Sequence, residues 1–173
     1  MISFALEIWN DETERATFYT VRWEDAEHSE MDKFILRMQE DPEMKRPLQE
    51  LLHLITEVIG NNHGANEAFF NRFENRVTAL PPRGNIKISE IELDYRGFPL
   101  RLYCLALNEE LVILFNGGVK DSQEVQQSTG LITAKFYEAN EFAKKIQSAL
   151  SAGIISIAGR QIVDYKGGTE IYL

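Results

Sequence analysis

The chain has 173 residues, 44% of them apolar, enough to fill one good core and to suggest a single domain. Its 27 acidic against 18 basic residues leave a net charge of −9, a field that repels nucleic acid at long range and suits a basic protein partner; an RNA or DNA role would need a local cationic patch. The lone Cys104 excludes an internal disulfide, no apolar run reaches membrane-spanning length, and MISFALEIWNDE lacks the features of a secretory signal, so a cytoplasmic protein with no membrane segment is expected.

Ile2, Phe4, Leu6 and Ile8 alternate with Ser3, Ala5, Glu7 and Trp9, the pattern of a strand with one buried face. Asn10–Thr13 supplies turn chemistry, and Ala16–Trp23 is a β-branched and aromatic run, so residues 1–25 predict an N-terminal β-hairpin. Ser29 predicts an N-cap, with Glu30 and Asp32 in the first turn and Phe34, Ile35 and Met38 along one side. Asp41-Pro42-Glu43 ends that helix and opens the next. There Leu48, Leu51, Leu52, Ile55, Val58 and Ile59 recur at helical spacing as far as Gly60-Asn61-Asn62. Ala68-Phe69-Phe70, Phe73 and Val77 fit a short third helix, and Leu80–Gly84 a loop.

Ile86–Tyr95 predicts a strand whose alternation changes phase between Ile88 and Ile91, the sign of a bulge. Arg96–Pro99 turns it into a second strand. There Leu100, Leu102, Cys104 and Ala106 share one face, and Arg101, Tyr103, Leu105 and Leu107 the other. Asn108-Glu109 turns again into Leu111–Phe115, an unbroken apolar run expected of a strand buried on both faces. Gly117-Gly118 reads as a turn, followed by a polar loop through Gly130. A helix over Ala134–Leu150 carries Phe136, Ala139, Ala143, Ile146 and Leu150 in one stripe, and the tail forms a small hairpin around Ala158-Gly159-Arg160. The order predicts an α+β fold: N-terminal β-hairpin (1–25), a core of two to three helices, antiparallel β-meander and C-terminal helix (29–150), and a C-terminal hairpin (151–173).

His28, His53 and His63 are scattered, and none stands in metal-ligand spacing with the cysteine. No GxSxG, HExxH, Walker or dinucleotide fingerprint occurs, so neither metal nor cofactor is expected. Glu90, Glu92 and Asp94 read as the solvated side of a strand, and Phe69, Phe70 and Phe73 as core packing. The basic residues of the meander stand apart. Arg83, Lys87, Arg96, Arg101 and Lys120 cluster along an otherwise acidic chain, and antiparallel pairing can bring several to one face with Tyr103. Arg101 is the sharpest of them: a guanidinium on a mostly hydrocarbon strand must meet an acid or stand at an open face awaiting an anion. Salt bridges to Glu90, Glu92 and Asp94 are the competing use of the same cations.

ALPPRG, a strand, LRLYC, LVILFNGGVKDS and an EANEFAKKI helix together resemble the HigB/RelE-type toxins of bacterial type II toxin–antitoxin pairs, in particular the phage-derived HigB-like branch. The resemblance covers about residues 30–150 and implies a RelE-like fold acting as a ribosome-dependent, metal-independent mRNA endonuclease that uses the RNA's own 2′-hydroxyl. By position it makes Arg101 and Lys120 the catalytic phosphate ligands and Arg83 and Lys87 RNA-binding residues, and it implies an antitoxin, the ribosome and mRNA as partners; Arg96 and Tyr103 of the same meander are the further RNA-binding residues that the clustering suggests. Two departures, the acidic charge and Asp121 and Glu124 where a catalytic histidine or C-terminal tyrosine would follow Lys120, point instead to a non-catalytic interaction module on the same fold. The first hairpin also offers an edge strand for a homodimer.

Overall fold

The computed structural model describes residues 3–120 and 125–173; Ile2, Asp121 and Glu124 lie outside them. The described chain is α+β, with a C-terminal helix and a small hairpin as the sequence predicts. Strands β1 (Phe4–Asn10) and β2 (Thr17–Trp23) form the first hairpin. Helix α1 (Glu30–Gln39) starts at Ser29, whose hydroxyl accepts the Asp32 amide, and α2 (Lys45–His53) continues into wider π-type turns over Leu54–His63. A 3-10 turn at Glu67–Phe70 leads to β3 (Phe73–Glu74), β4 (Val77–Leu80), β5 (Asn85–Ile88) and β6 (Ile91–Asp94). Strands β7 (Leu100–Asn108) and β8 (Leu111–Val119), helix α3 (Val125–Ser151), and β9 (Ile155–Ala158), β10 (Gln161–Asp164) and β11 (Ile171–Tyr172) complete the order.

The main sheet runs β11-β1-β2-β8-β7-β4-β3. Its neighbours are antiparallel except β2 and β8, which pair in parallel through Thr17–Thr20 and Leu111–Leu114. Each face has its own core. Phe18, Leu100, Leu102, Cys104, Val112 and Leu114 pack under α1, α2 and the π-type turns, against Phe34, Leu51 and Ile55. Phe4, Tyr103, Leu105, Ile113 and Phe115 pack under α3 and the β9–β10 hairpin, against Phe142, Ile146, Ile155 and Ile162. The predicted alternation along β7 thus assigns its two faces correctly, with Arg101 preceding Tyr103 on the α3 face.

Five sequence expectations change. Ile86–Tyr95 is not one bulged strand but the separate β5–β6 hairpin, turned at Ser89 (φ 54°) and Glu90; the change of phase at Ile88 is the turn itself. The antiparallel unit of the main sheet is therefore β4, β7 and β8. Phe73 and Val77 lie on β3 and β4 rather than on a helix, and Phe73 is 77% exposed. Gly117 and Gly118 lie inside β8, where a Cβ on Gly117 would stand 1.8 Å from the Arg101 carbonyl oxygen; glycine is required because β7 and β8 approach so closely beside their bulge at Leu102–Cys104. Helical structure begins at Val125, nine residues before the apolar stripe announces it. The outer edge of β1, offered above for a dimer, is already occupied by β11 through Ala5–Tyr172 and Leu6–Ile171.

Beyond Thr20 and Leu114 the parallel strands part, β2 leading to α1 on one face and β8 towards α3 on the other. Charged side chains fill the gap. The Glu30 carboxylate, fully buried, meets Lys33 Nζ at 2.9 Å and Lys135 Nζ at 3.6 Å and accepts from Asn116 Nδ2 at 3.3 Å. Arg37 Nη2 donates to Asn116 Oδ1 at 3.0 Å from the same helix as Glu30. Burial pushes Glu30 up, but the hydrogen bond with Glu138 and the two ammonium groups outweigh it and hold the carboxyl below its ordinary value. Burial, then the Glu30 carboxylate, raise Glu138 to about 7, so the two acids share one proton between α1 and α3.

Gly117→Ala is expected to destabilise the fold by about 3 kcal/mol, read from urea unfolding, because backbone rather than a movable side chain blocks the added carbon. The stability that protonated Glu138 contributes is complete below the ordinary carboxyl range and is lost as pH rises through about 7. Calorimetry should show the melting temperature falling by roughly 2–4 °C between about pH 5.5 and pH 8. Glu138→Gln, which keeps a donor toward Glu30, should flatten that slope; an unchanged slope would show that the pair is not its source.

Candidate anion-binding site

Arg101 opens β7, and its backbone faces Gly118, where β8 has no side chain to cover it. Its Nη1 donates to the carbonyls of Phe98 (2.7 Å) and Leu100 (2.8 Å), while its buried Nε has no partner among the described residues. The sequence offered two fates for this guanidinium, an acid or an open face. The structure adds a third component: one edge is held by backbone carbonyls, which aims the group and leaves its charge uncompensated. Burial first, and then the neighbouring Arg72, lower Arg101 to about 10, so it is still a cation at neutral pH.

Arg72 is the residue the sequence reading missed. It lies between the 3-10 turn and β3, is 7% exposed, and donates from Nε to the Pro81 carbonyl at 3.2 Å. Burial and then Arg83 lower its pKa, opposed by Glu74. Pro81 follows a cis peptide bond after Leu80, and the next loop residues are clamped by Asn71, whose Oδ1 accepts the Arg83 amide at 2.6 Å while its Nδ2 donates to the Arg83 carbonyl at 3.2 Å. The exposed Arg83 is thereby brought back towards Arg72 and Arg101, and its charge acts on both. No spacing rule reveals this convergence, since Arg72 reaches the cluster through the β3–β4–β7 order of the sheet.

Tyr103 stands two residues along the same face, buried, with its ring 5.9 Å from that of Phe136 on α3. Burial and then Glu74 raise its phenol to about 12, so at neutral pH it offers a proton to hydrogen-bond with rather than a base. Glu74 is the acid felt by Arg72, Arg101 and Tyr103 alike. Arg72 and Arg101 with one nearby carboxylate, and the charge of Arg83 added to theirs, make a locally cationic spot on an acidic protein, suited to an anion with several acceptor oxygens.

The remaining predicted cations are placed elsewhere. Arg96 is fork-bonded to Asp94, with Nη2–Oδ2 at 2.6 Å, and holds that carboxyl down at about 2. Here the salt bridge considered as the alternative use is realised. Lys87 is exposed on the β5–β6 hairpin opposite Glu92, whose Oε1 accepts from Asn85. Lys120 is exposed just past β8, its amide bonded to the Pro99 carbonyl at 2.7 Å, at the end of the sheet where Arg101 begins β7. His28 and His53 are exposed and His63 lies against Phe69; among the described residues no group of three His, Cys, Asp or Glu side chains could hold a metal ion. Comparison of the chain with protein-family models, with curated proteins and with solved structures found no match.

Proposed function

We propose that Arg101, Arg72 and Arg83 grip the phosphodiester backbone of RNA, and that the chain acts as an endoribonuclease of the RelE/HigB toxin type. The observation that carries this reading is the placement of Arg72 on the β3–β4 edge beside β7, with the Asn71 clamp holding the Arg83 loop next to it and Tyr103 two residues along the strand from Arg101. Attack by the RNA's 2′-hydroxyl builds negative charge on the non-bridging oxygens of the scissile phosphate. A fixed guanidinium stabilises that charge without having to reorganise. Arg101 is fixed by Phe98 and Leu100, and the cationic charge it keeps at neutral pH is what a phosphate oxygen would meet. Tyr103 supplies a neutral donor beside it, and Lys120, at the same end of the sheet, extends the grip along the strand. The local cationic spot is what lets RNA approach a chain of net charge −9. An antitoxin, the ribosome and a cytoplasmic setting belong to the same reading, and the buried Cys104 thiol suits a reducing compartment.

Inducible expression in a bacterial host, with growth and mRNA integrity scored together, tests this directly. The wild-type chain and Arg46→Ala, whose charge is spent on Glu50, should arrest growth and cleave mRNA. Arg101→Ala, confirmed folded by circular dichroism, should cleave 10²–10³-fold more slowly, about the effect of removing one donor that stabilises a transition-state charge. Equal cleavage by a folded Arg101→Ala protein, or no cleavage by the wild type, would overturn the reading.

A further inference from the structure

The two ends of β7 are treated differently by the fold. At Leu102–Cys104 the strand is paired on one side with β8 and on the other with β4, through Leu80–Leu102, Ala79–Tyr103 and Thr78–Cys104. β4 then stops at Val77, because the chain turns at Asn75 (φ 64°) and Arg76 into β3. The far limit is Glu109, whose carbonyl accepts the Ala65 amide at 2.7 Å. Between these points β7 has, among the described residues, a strand on its β8 side only.

The direction of the free backbone groups follows from the ladder. The Ala79 amide donates to the Arg72 carbonyl, on the β3 side, so the groups of Thr78 and Leu80 on either side of it face β7. Their partners Cys104 and Leu102 face β4 in return, and Ala106, two residues beyond Cys104, presents its N–H and C=O to the same edge. No described hydrogen bond uses them there. A bulge at Leu107 then re-aims the last residues of the strand.

This edge is the floor of a groove of about 530 Å³ lined by Cys104, Leu105, Ala106, Val77, Phe70 and Phe73, the last of these 77% exposed. Its rim carries Glu67 and Glu109, and a second hollow that shares Asn108 and Glu109 adds Glu14 and Glu110. Arg76, Arg15 and His63 are the basic residues of the two linings, and the four glutamates outnumber the two arginines, which leaves the trough acidic at neutral pH.

We propose that this groove takes an extended segment of a partner protein in which apolar residues alternate with lysine or arginine. The segment continues the line of β4 beside Leu105 and Ala106. Its backbone pairs with Ala106, its apolar side chains fall on Phe70 and Phe73, on the same face as Cys104 and Ala106, and its cations meet Glu67 and Glu109. The inference is independent of the arginine cluster and holds whether or not the chain cleaves RNA.

The probe is a fluorescein-labelled eight-residue peptide alternating valine with lysine, with a valine–glutamate peptide as its counterpart. The full chain should bind the lysine peptide saturably by anisotropy and at least tenfold more tightly than the glutamate peptide. The double variant Glu67→Lys, Glu109→Lys should lose about tenfold for the lysine peptide, and Phe73→Ser, at an exposed position, should weaken it also. Hydrogen exchange should slow at the Ala106 amide when peptide is present. Absence of binding, binding indifferent to the charge reversal, or an Ala106 amide already protected in a concentration-dependent dimer of the chain would each overturn the proposal, the last by giving the edge to a second copy.

Discussion

The parallel pairing of Thr17–Thr20 with Leu111–Leu114 is the constraint on which the rest of the fold depends. It joins the N-terminal hairpin to the β7–β8 pair and makes one sheet of segments nearly a hundred residues apart. Because β2 and β8 run the same way, neither can return directly to the other, and the chain must cross over. The crossover from β2 carries α1 and α2 over one face, and the exit from β8 carries α3 over the other. Both apolar faces are covered as a result. The gap where the two strands part is filled by Glu30, Lys33, Asn116, Lys135 and Glu138 instead of hydrocarbon. Breaking a buried charge network of this kind costs more than its formation contributes, since each lost partner leaves another buried charge uncompensated.

The same arrangement explains why Arg101 is where it is. β8 must pass β7 so closely at Gly117 that no side chain fits, and at Gly118, opposite Arg101, an added Cβ would meet Ile132 of α3 at 3.3 Å. Into that end of the sheet the β3–β4 edge delivers Arg72, and the Asn71 clamp delivers Arg83. Backbone carbonyls hold Arg101 from one side only. Three like charges brought together cost stability, and such a cost persists where the charges have a use. The open half of β7 is a consequence of the same edge: β4 begins only at Val77, after the chain has turned from β3 at Asn75 and Arg76.

Local signals in the sequence were sufficient wherever structure depends on neighbours. The Ser29 cap, the alternation along β1 and β7 and the Gly159 hairpin all follow from adjacent residues. What it did not disclose depends on partners distant in the chain. Gly117-Gly118 looks like a turn, and only the proximity of the Arg101 carbonyl shows why glycine stands inside a strand. Ile86–Tyr95 has the composition of a strand, and the positive φ of Ser89, a residue that seldom signals a turn of that kind, is what divides it. Arg72 sits in a stretch of weak periodicity, so neither its burial nor its approach to Arg101 leaves a pattern. Arg101, Arg83 and Tyr103 were legible because strand alternation and short loops fix their faces, whereas Arg96 had an acid two residues away that claimed it.

The central claim is that the Arg101 guanidinium, with Arg72 and Arg83, is an anion grip. It is tested most directly by the Nε–Hε correlations of ¹⁵N-labelled arginine, recorded while a short oligoribonucleotide is added to the full chain. The Arg101, Arg72 and Arg83 signals should shift together and saturate, with the largest movement at Arg101, which backbone carbonyls hold from one side only, while Arg96, held by Asp94, should stay in place. Unmoved signals for the three, or a shift at Arg96 alone, would contradict the account.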